Sequence, residues 1–389
     1  MIAADRIVYL DNNATTQLDP AALEEMLPFL ATYYGNPSSA YGFGAQVRTA
    51  IERARAQVAT LVGCEPAEIV FTSCGTESTN TAIHSALQLD PTRQHIVTTA
   101  VEHSATLRYC EQLAKTGCAV TFLGVDGNGR LDLDELERAI RPDTALITTM
   151  WANNETGVLF PIEQIAEIAR RHRVLFHTDA VQAAGKIPIE LRAVPINFCS
   201  LSAHKLHGPK GVGALYVNGR SAFRPLLIGG GQEEGRRAGT ENVASIVGFG
   251  KAAERAAASL PVDQPRVRVL RDRFETTLLA DMPETHVNGD RIARLPNTSS
   301  LSFAGVDSEA ALLLLDRTGV CCSAGSACRA GSTETSHVLR AMHLPDERIR
   351  GALRFSFGRF NTDTDVDAAV TRVSAAIRKL RAMAPAPPL

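Results

Sequence analysis

Short apolar runs rich in β-branched residues alternate with stretches of helical periodicity between about residues 65 and 220. Two of the helical stretches cover residues 76–87 and 162–171. Runs with the length and composition of buried strands cover residues 68–73, 95–101, 119–125, 145–151, 174–178, 197–201 and 212–217. This alternation predicts an α/β fold in which a mostly parallel seven-stranded sheet carries helices on both faces.

The pattern changes after about residue 255. Helical periodicity then covers residues 266–279 and 308–315, a strand-like run covers 297–303, and an amphipathic helix covers 366–383 near the end. We therefore expect a large domain of residues 15–255 and a smaller α+β domain built from residues 1–14 and 256–389.

Composition restricts the classes of partner. Hydrophobic residues make up 45% of the 389, and the formal net charge is −2 with the charges interspersed, which leaves no basic surface for nucleic acid. The first residues, MIAADRIVYLDNNATT, lack the features of a targeting signal, and no apolar run approaches the length of a membrane span. We expect a cytoplasmic protein whose partners are small molecules or other proteins.

The eight cysteines suggest neither a disulfide framework nor a metal site. Five are scattered without pair spacing, and the chain has no CxxC motif and no familiar four-ligand set. The other three lie in CCSAGSACRAGS, residues 321–332, where small residues dominate. Such a segment predicts a mobile exposed loop at about residues 321–333 with a reachable thiol. The alternative is small residues packed beneath a neighbouring element.

Ligands of parallel sheets bind beyond the carboxyl ends of the strands, so polar residues just after each predicted strand are candidates for a site. These positions hold Gly75, Thr76, His103, Asn154, Asp179, Gln182, Ser202, His204 and Lys205. Each has an ordinary structural alternative, because Thr is a common N-cap and a single His is more often structural than chemical. As a set they predict one crevice that combines a lysine, an aspartate and an anion-binding helix start.

The same set matches the chemical needs of pyridoxal 5′-phosphate (PLP). Lys205 supplies an amine that can hold the aldehyde as a Schiff base. Asp179 supplies a carboxylate that keeps the pyridine nitrogen protonated. His103 matches the ring face, and Gln182 matches the ring oxygen. The phosphate is matched by Gly75, Thr76, Ser202 and His204. We therefore predict a PLP site in residues 15–255.

Longer motifs extend this pattern over nearly the whole chain. They are YLDNNATT (residues 9–16), YGNPSS (34–39), TSCGTES (72–78), WANNETG (151–157), HTDAVQ (177–182), SAHKLHGPKG (202–211), GRRAGTEN (235–242), GSAC (325–328), SHVLRAM (336–342) and LRFSFGRFNT (353–362). In these motifs the sequence resembles the cysteine desulfurases of the NifS/IscS type. These belong to the class-V aminotransferase group of PLP-dependent transferases of fold type I. WANNETG, HTDAVQ and GRRAGTEN resemble the nitrogen-fixation branch most.

The resemblance implies a role for each matching residue. It makes Lys205 the Schiff-base lysine and the base, with His103 stacked on the ring. Cys328 of GSAC becomes the nucleophile that takes sulfur from L-cysteine, which leaves L-alanine and a persulfide. Asn154 would lie near the substrate, and Arg354 would bind the substrate carboxylate, for which a guanidinium is well shaped.

The resemblance also implies partners. Thr240 of GRRAGTEN corresponds to a residue that reaches the cofactor phosphate of the partner subunit, so a homodimer is expected. The persulfide would be donated to an iron–sulfur scaffold or another sulfur-acceptor protein, in a cytoplasmic, nitrogenase-related role.

Three positions depart from the family pattern: Arg329 after the cysteine, Tyr41 after NPSS, and the pair Cys321 and Cys322. We predict that Arg329 lowers the pKa of the Cys328 thiol, and that Cys321 and Cys322 are buried at the root of the loop. Selenocysteine lyase and class-V aminotransferase remain alternatives on the same fold. A sulfur-carrier protein without catalysis is an alternative of another class, and it predicts no bound cofactor.

Overall fold

The computed structural model describes residues 7–324 and 335–383. Its helices and strands alternate through the first two thirds of the chain. In chain order they are β1 (Val8–Tyr9), α1 (Pro20–Ala31), α2 (Gly42–Val62), β2 (Ile69–Thr72), α3 (Gly75–Leu89), β3 (His95–Thr99), α4 (Ser104–Lys115), β4 (Ala119–Leu123), α5 (Leu133–Arg138), β5 (Thr144–Met150), α6 (Ile162–His172), β6 (Leu175–Asp179), β7 (Phe198–Ser202), β8 (Gly213–Val217), α7 (Val243–Asp281), β9 (Thr285–Val287), β10 (Thr298–Phe303), α8 (Ser308–Arg317), β11 (Val320–Cys321), α9 (His337–Ala341), α10 (Asp346–Arg350), β12 (Ala352–Ser356) and α11 (Asp363–Met383).

Seven strands form the large sheet, in the order β2-β8-β7-β6-β5-β3-β4. The pairs along β7-β6-β5-β3-β4 are parallel, whereas β8 is antiparallel to both of its neighbours. Helices α3, α4, α5 and α6 connect successive strands, as parallel pairing requires. The predicted α/β class with a mostly parallel seven-stranded sheet is confirmed.

Burial on both faces characterises these strands. Every residue of β2, β3, β5, β7 and β8 is buried, so their side chains do not alternate between buried and exposed positions. Because the carboxyl ends of the parallel strands meet at one edge, the polar residues that follow them are brought together there.

A second group of elements has its own apolar core. It contains the antiparallel sheet β12-β10-β9 and the parallel pair β1-β11. Its buried core combines Val8 and Leu10 with residues from Val267 to Ile377. Helix α7 spans 39 residues and contains Pro261 and Pro265, so it runs across the predicted boundary at residue 255. The two-domain division therefore stays a prediction.

Within the described ranges, no helix combines the length and the apolar character needed to cross a membrane.

Candidate active site

A cavity of about 540 Å³ opens at the carboxyl ends of the parallel strands. Its walls contain most of the residues singled out in the sequence: Gly75, Thr76, His103, Asn154, Asp179, Gln182, Ser202, His204, Lys205 and Arg354. Thr240 is exposed and does not line this cavity. Cys328 and Arg329 lie outside the described residues.

Lys205 enters the cavity from the end of β7, where a short 3₁₀ helix spans Ala203–Lys205. Its Nζ donates hydrogen bonds to the carbonyl oxygens of Asn13, at 2.6 Å, and Ala14, at 2.7 Å. The amine is therefore held at the wall by two backbone acceptors from the DNNATT segment.

Asp179 is the last residue of β6 and is 8% exposed. Its Oδ1 accepts a hydrogen bond from the backbone N–H of Val181 at 2.9 Å. Burial raises the pKa of Asp179 to about 6, although the Val181 N–H and the charge of Lys205 oppose the rise. A cation placed against this carboxylate would offset its lost hydration.

His103 caps the N-terminus of α4, and its ring lines the cavity. Its Nδ1 accepts a hydrogen bond from the backbone N–H of Ala105 at 3.1 Å, which assigns the ring proton to Nε2. Burial, together with the positive charges of Lys205 and His337, lowers the pKa of His103 to about 4. The ring is therefore neutral at physiological pH, as a stacking partner for a flat ligand should be.

Glu102, which precedes His103 in the chain, is fully buried and connects two strand ends. Its Oε1 accepts hydrogen bonds from Thr99 Oγ1 at 2.8 Å and from the Met150 N–H at 2.9 Å. Burial raises the pKa of Glu102 to about 8. The carboxyl group is thus protonated at neutral pH and joins the ends of β3 and β5 without placing a charge under the site.

The start of α3 forms a cradle suited to an anion. The N-cap residue Cys74 makes no side-chain cap. A Cβ on Gly75 would lie 2.9 Å from Val181 Cγ2, and one on Gly213 would lie 2.7 Å from the Cys74 carbonyl carbon. Only glycine permits this close packing, which brings the first turn of α3 against β7 and Ser202. Backbone amides at a helix start bind phosphate readily.

Arg354 on β12 forms the opposite wall and is 2% exposed. Its Nη2 donates to Asp11 Oδ1 at 2.7 Å and its Nη1 donates to the Asn154 carbonyl at 3.0 Å. Its buried Nε has no partner among the described residues. This guanidinium is pre-positioned and still has a donor for an incoming carboxylate.

The structure also brings in residues that the sequence reasoning left without a role. Asn13 offers its carbonyl to Lys205 and also accepts from Gln182 Nε2 at 3.0 Å. Asp11 orients Arg354. Both belong to YLDNNATT, and the run of polar residues directly after a short apolar segment was the available signal. Their partners lie too far away in sequence for that signal to name them.

Segments on both sides of residues 325–334 are attached to the cavity wall. Ser323 exchanges two backbone hydrogen bonds with Arg354 and donates from Oγ to Asp11 Oδ1 at 2.8 Å. Ser336 donates to the buried Glu155 carboxylate, and His337 Nε2 donates to the Glu102 carbonyl at 2.9 Å. Cys321 and Cys322, predicted to be buried, are only partly buried.

Residues 8–369 match the family model described as aminotransferase class-V. The chain belongs to the class-V aminotransferase family. A protein named cysteine desulfurase from Trichormus azollae is 52% identical over 97% of this chain and 95% of its own length. A protein named cysteine desulfurase NifS from Azotobacter vinelandii is 50% identical over 97% of this chain and 94% of its own length. The solved structure of a NifS-like protein is 38% identical and aligns with a TM-score of 0.90, covering 96% of this chain and 100% of that one.

These matches confirm the family resemblance and the fold-type prediction. In this class-V aminotransferase, the cavity at the strand ends holds a lysine, a buried carboxylate and an anion cradle. No group of three or more His, Cys, Asp or Glu side chains could hold a metal ion within residues 7–324 and 335–383. The functional groups at the cavity wall are the Lys205 amine, the Asp179 carboxylate, the His103 imidazole and the Arg354 guanidinium.

Proposed function

We propose that this protein is a PLP-dependent cysteine desulfurase that converts L-cysteine to L-alanine and transfers the sulfur to Cys328. The convergence of Lys205, Asp179 and His103 on one cavity carries the proposal. Relatives at 50% to 52% identity over almost the full chain that are named cysteine desulfurase support it.

The residues present fit PLP. Lys205 offers an amine for the aldehyde, Asp179 offers a buried carboxylate for the pyridine nitrogen, and the start of α3 offers a cradle for the phosphate. When bound, PLP supplies an electron-withdrawing ring that weakens bonds at the α-carbon of an amino acid.

Three side chains of this chain would prepare and cover that ring. Asp179 would hold the ring nitrogen as a cation by opposite charge. His103, neutral at physiological pH, would lie against the ring face and exclude water from it. Lys205 Nζ, after leaving the carbonyl oxygens of Asn13 and Ala14, would take and return a proton at the α-carbon of the substrate.

The substrate would be oriented from the opposite wall. Its carboxylate would accept hydrogen bonds from Arg354, whose buried Nε lacks a partner among the described residues. Asn154, whose carbonyl accepts from Arg354 Nη1, would lie beside it.

Cys328 would act as the nucleophile. A bond forms between Cys328 Sγ and the substrate sulfur as the Cβ–S bond of the substrate breaks. The electron pair from that bond remains with carbon, where protonation gives the methyl group of alanine. Attachment of Ser323 to Arg354 and of Ser336 to Glu155 supports delivery of this thiol to the cavity, because both segments that flank residues 325–334 lie at its wall.

We further infer a homodimer. Leu23, Leu27 and Leu30 share one face of α1, and all three are exposed. An exposed row of leucines suits contact with a second copy of the chain. Exposure of Thr240 is consistent with a contribution to the phosphate site of the partner subunit.

The acceptor of the sulfur is proposed to be an iron–sulfur scaffold or another acceptor protein. The name NifS of one relative supports the nitrogenase-related branch. Cysteines of the described residues are all free, which fits the reducing environment of the cytoplasm.

Absorption spectroscopy tests the cofactor part of the proposal. Wild-type protein incubated with PLP and then freed of excess ligand should show a near-visible band, which Lys205→Ala should lack. Lys210→Ala is a matched control, because Lys210 is exposed and does not line the cavity. A spectrum without bound cofactor in the wild type would refute the proposal and would favour a sulfur carrier.

A further inference from the structure

Lys186 lies behind the cavity wall, in the turn that follows β6. Its Nζ donates to Gln182 Oε1 at 2.7 Å. Gln182 Nε2 in turn donates to the Asn13 carbonyl at 3.0 Å, and that same oxygen accepts from Lys205 Nζ at 2.6 Å. A continuous set of hydrogen bonds therefore joins Lys186 to Lys205 through one carboxamide and one carbonyl.

The orientation of the Gln182 carboxamide follows from the chemistry of its neighbours. The Asn13 carbonyl can only accept, so the amide nitrogen must face it. The amide oxygen then faces Lys186, whose amine can donate in either protonation state. Gln182 is 6% exposed, so without Lys186 its oxygen would be a buried acceptor with no donor.

The surroundings of Lys186 are unfavourable for a charged amine, so a purely structural role does not explain a lysine at this position. The acceptor that the structure gives its amine is the neutral carboxamide oxygen of Gln182 rather than a carboxylate. Burial, followed by the positive charges of Lys205 and Arg354, lowers the pKa of Lys186 well below its ordinary value. Lys186 also lines a second cavity of about 50 Å³, together with Lys205, His207, Asp263 and Arg359.

We propose that Lys186 is a positioning residue that fixes Gln182, so that only N–H donors of this side chain face the cavity. The inference rests on the proposed function, because the acceptor for the second N–H of Gln182 would be the ring oxygen of PLP. A donor at that oxygen withdraws electron density from it. This donor should consequently lower the proton affinity of the nitrogen that joins Lys205 to the cofactor.

Spectrophotometric pH titration of the PLP-loaded protein tests this role without measuring turnover. In Lys186→Met, which cannot donate, the midpoint of the near-visible band should rise by about one pH unit. In Lys186→Gln, which donates without carrying a charge, the midpoint should stay close to that of the wild type. A Lys186→Gln midpoint equal to that of Lys186→Met would contradict positioning by hydrogen bonding.

A double-mutant cycle separates action through Gln182 from a direct effect of charge. In the Gln182→Ala background, Lys186→Met should leave the midpoint unchanged. An equal shift with and without Gln182, or a Lys186→Met titration that superimposes on the wild type, would overturn the inference. Thermal unfolding of each variant checks that it is folded. A wild type without any band would refute the proposed function itself, and this inference with it.

Discussion

Arg354 donates a hydrogen bond from Nη2 to Asp11 Oδ1 at 2.7 Å, although the two residues are 343 positions apart in sequence. Arg354 is almost completely buried at the cavity wall, and the Asp11 side chain is 16% exposed. Asp11 also accepts from Ser323 Oγ. One carboxylate therefore orients both the proposed substrate-binding guanidinium and the segment that leads towards Cys328.

Arg354→Lys should lower kcat/KM for L-cysteine by about 100-fold, mainly through KM. Lysine cannot reproduce a forked contact to a carboxylate while it also binds Asp11, and charged hydrogen bonds of this kind contribute about 2–3 kcal/mol. Cysteamine lacks the carboxylate, so its binding, followed by the spectral change of the cofactor, should be the same in wild type and variant. Equal weakening for both ligands would contradict the assignment.

Arg237 and Glu77 connect the GRRAGTEN segment to the first turn of α3. Arg237 Nε and Nη2 donate to the two carboxylate oxygens of Glu77 at 2.9 and 3.2 Å. Burial alone would raise the pKa of Glu77, but hydrogen bonds from Arg237 and Ser73 lower it. Arg237 thereby neutralises a carboxylate that stands next to the proposed phosphate cradle.

Arg237→Met should weaken PLP binding to the apoprotein by about tenfold, because the phosphate would then face an uncompensated carboxylate. Addition of Glu77→Gln should restore the affinity. Pyridoxal, which has no phosphate, serves as the control ligand and should bind all three proteins equally. A loss of pyridoxal affinity as large as the loss of PLP affinity would show that the pair acts on the fold instead.

Glu102 should make stability depend on pH. The pKa of Glu102 is about 8 in the folded protein against an ordinary value of 4.5, so between these values the folded state keeps a proton that the unfolded state has lost. The free energy of unfolding contributed by this group is full below pH 4.5 and falls as pH rises towards 8. Glu102→Gln, which cannot ionise, removes that loss.

Urea unfolding at pH 5.5 and pH 8.5 measures the effect. Between pH 5.5 and pH 8.5, the free energy of unfolding of the wild type should fall by on the order of 3 kcal/mol more than that of Glu102→Gln. Glu111→Gln, a change of an exposed carboxylate on α4, should show no such difference from the wild type. Parallel pH dependences of wild type and Glu102→Gln would mean that Glu102 ionises normally.

The apolar face of α1 should form the interface between two copies of the chain. Leu27→Asp places a charge on a side chain that is 53% exposed in the single chain, and it should convert the dimer to a monomer in sedimentation velocity. Leu313→Asp is the control, since Leu313 is 68% exposed on α8, away from this face. A wild type that sediments as a monomer would refute the proposed homodimer.

Local sequence patterns were sufficient to predict the strands that are buried on both faces of the large sheet. All seven predicted strand runs overlap a strand of the large sheet, to within one residue at the ends of β5, β6 and β7, because buried runs bounded by turn residues leave little ambiguity. Ser202 illustrates the uncertainty at the ends. It was predicted to follow the strand, yet it is the last residue of β7.

Helix α7 shows where local signals fail. The sequence predicted a helix only over residues 266–279, whereas α7 covers Val243–Asp281 and includes Pro261 and Pro265. Prolines favour a break. Packing of its buried side chains, among them Ile246, Phe249 and Ala253, outweighs that preference here.

The candidate site likewise contains residues that could be predicted from the sequence and residues that could not. Lys205, Asp179 and His103 could be predicted because each lies at or shortly after a strand end, and sheet topology alone brings strand ends together. Asp11 and Asn13 could not, because their partners depend on how the chain start packs against distant segments. Hydrogen bonds that span 192 positions, such as the one from Lys205 to Asn13, leave no local pattern.

Product analysis tests the central claim most directly. Purified wild-type protein loaded with PLP and incubated with L-cysteine and a reductant should form L-alanine and sulfide in equal amounts. Lys205→Ala and Cys328→Ala should each form little of either product, and Lys210→Ala should match the wild type. Undiminished alanine and sulfide from Cys328→Ala, or from Lys205→Ala, would contradict the account.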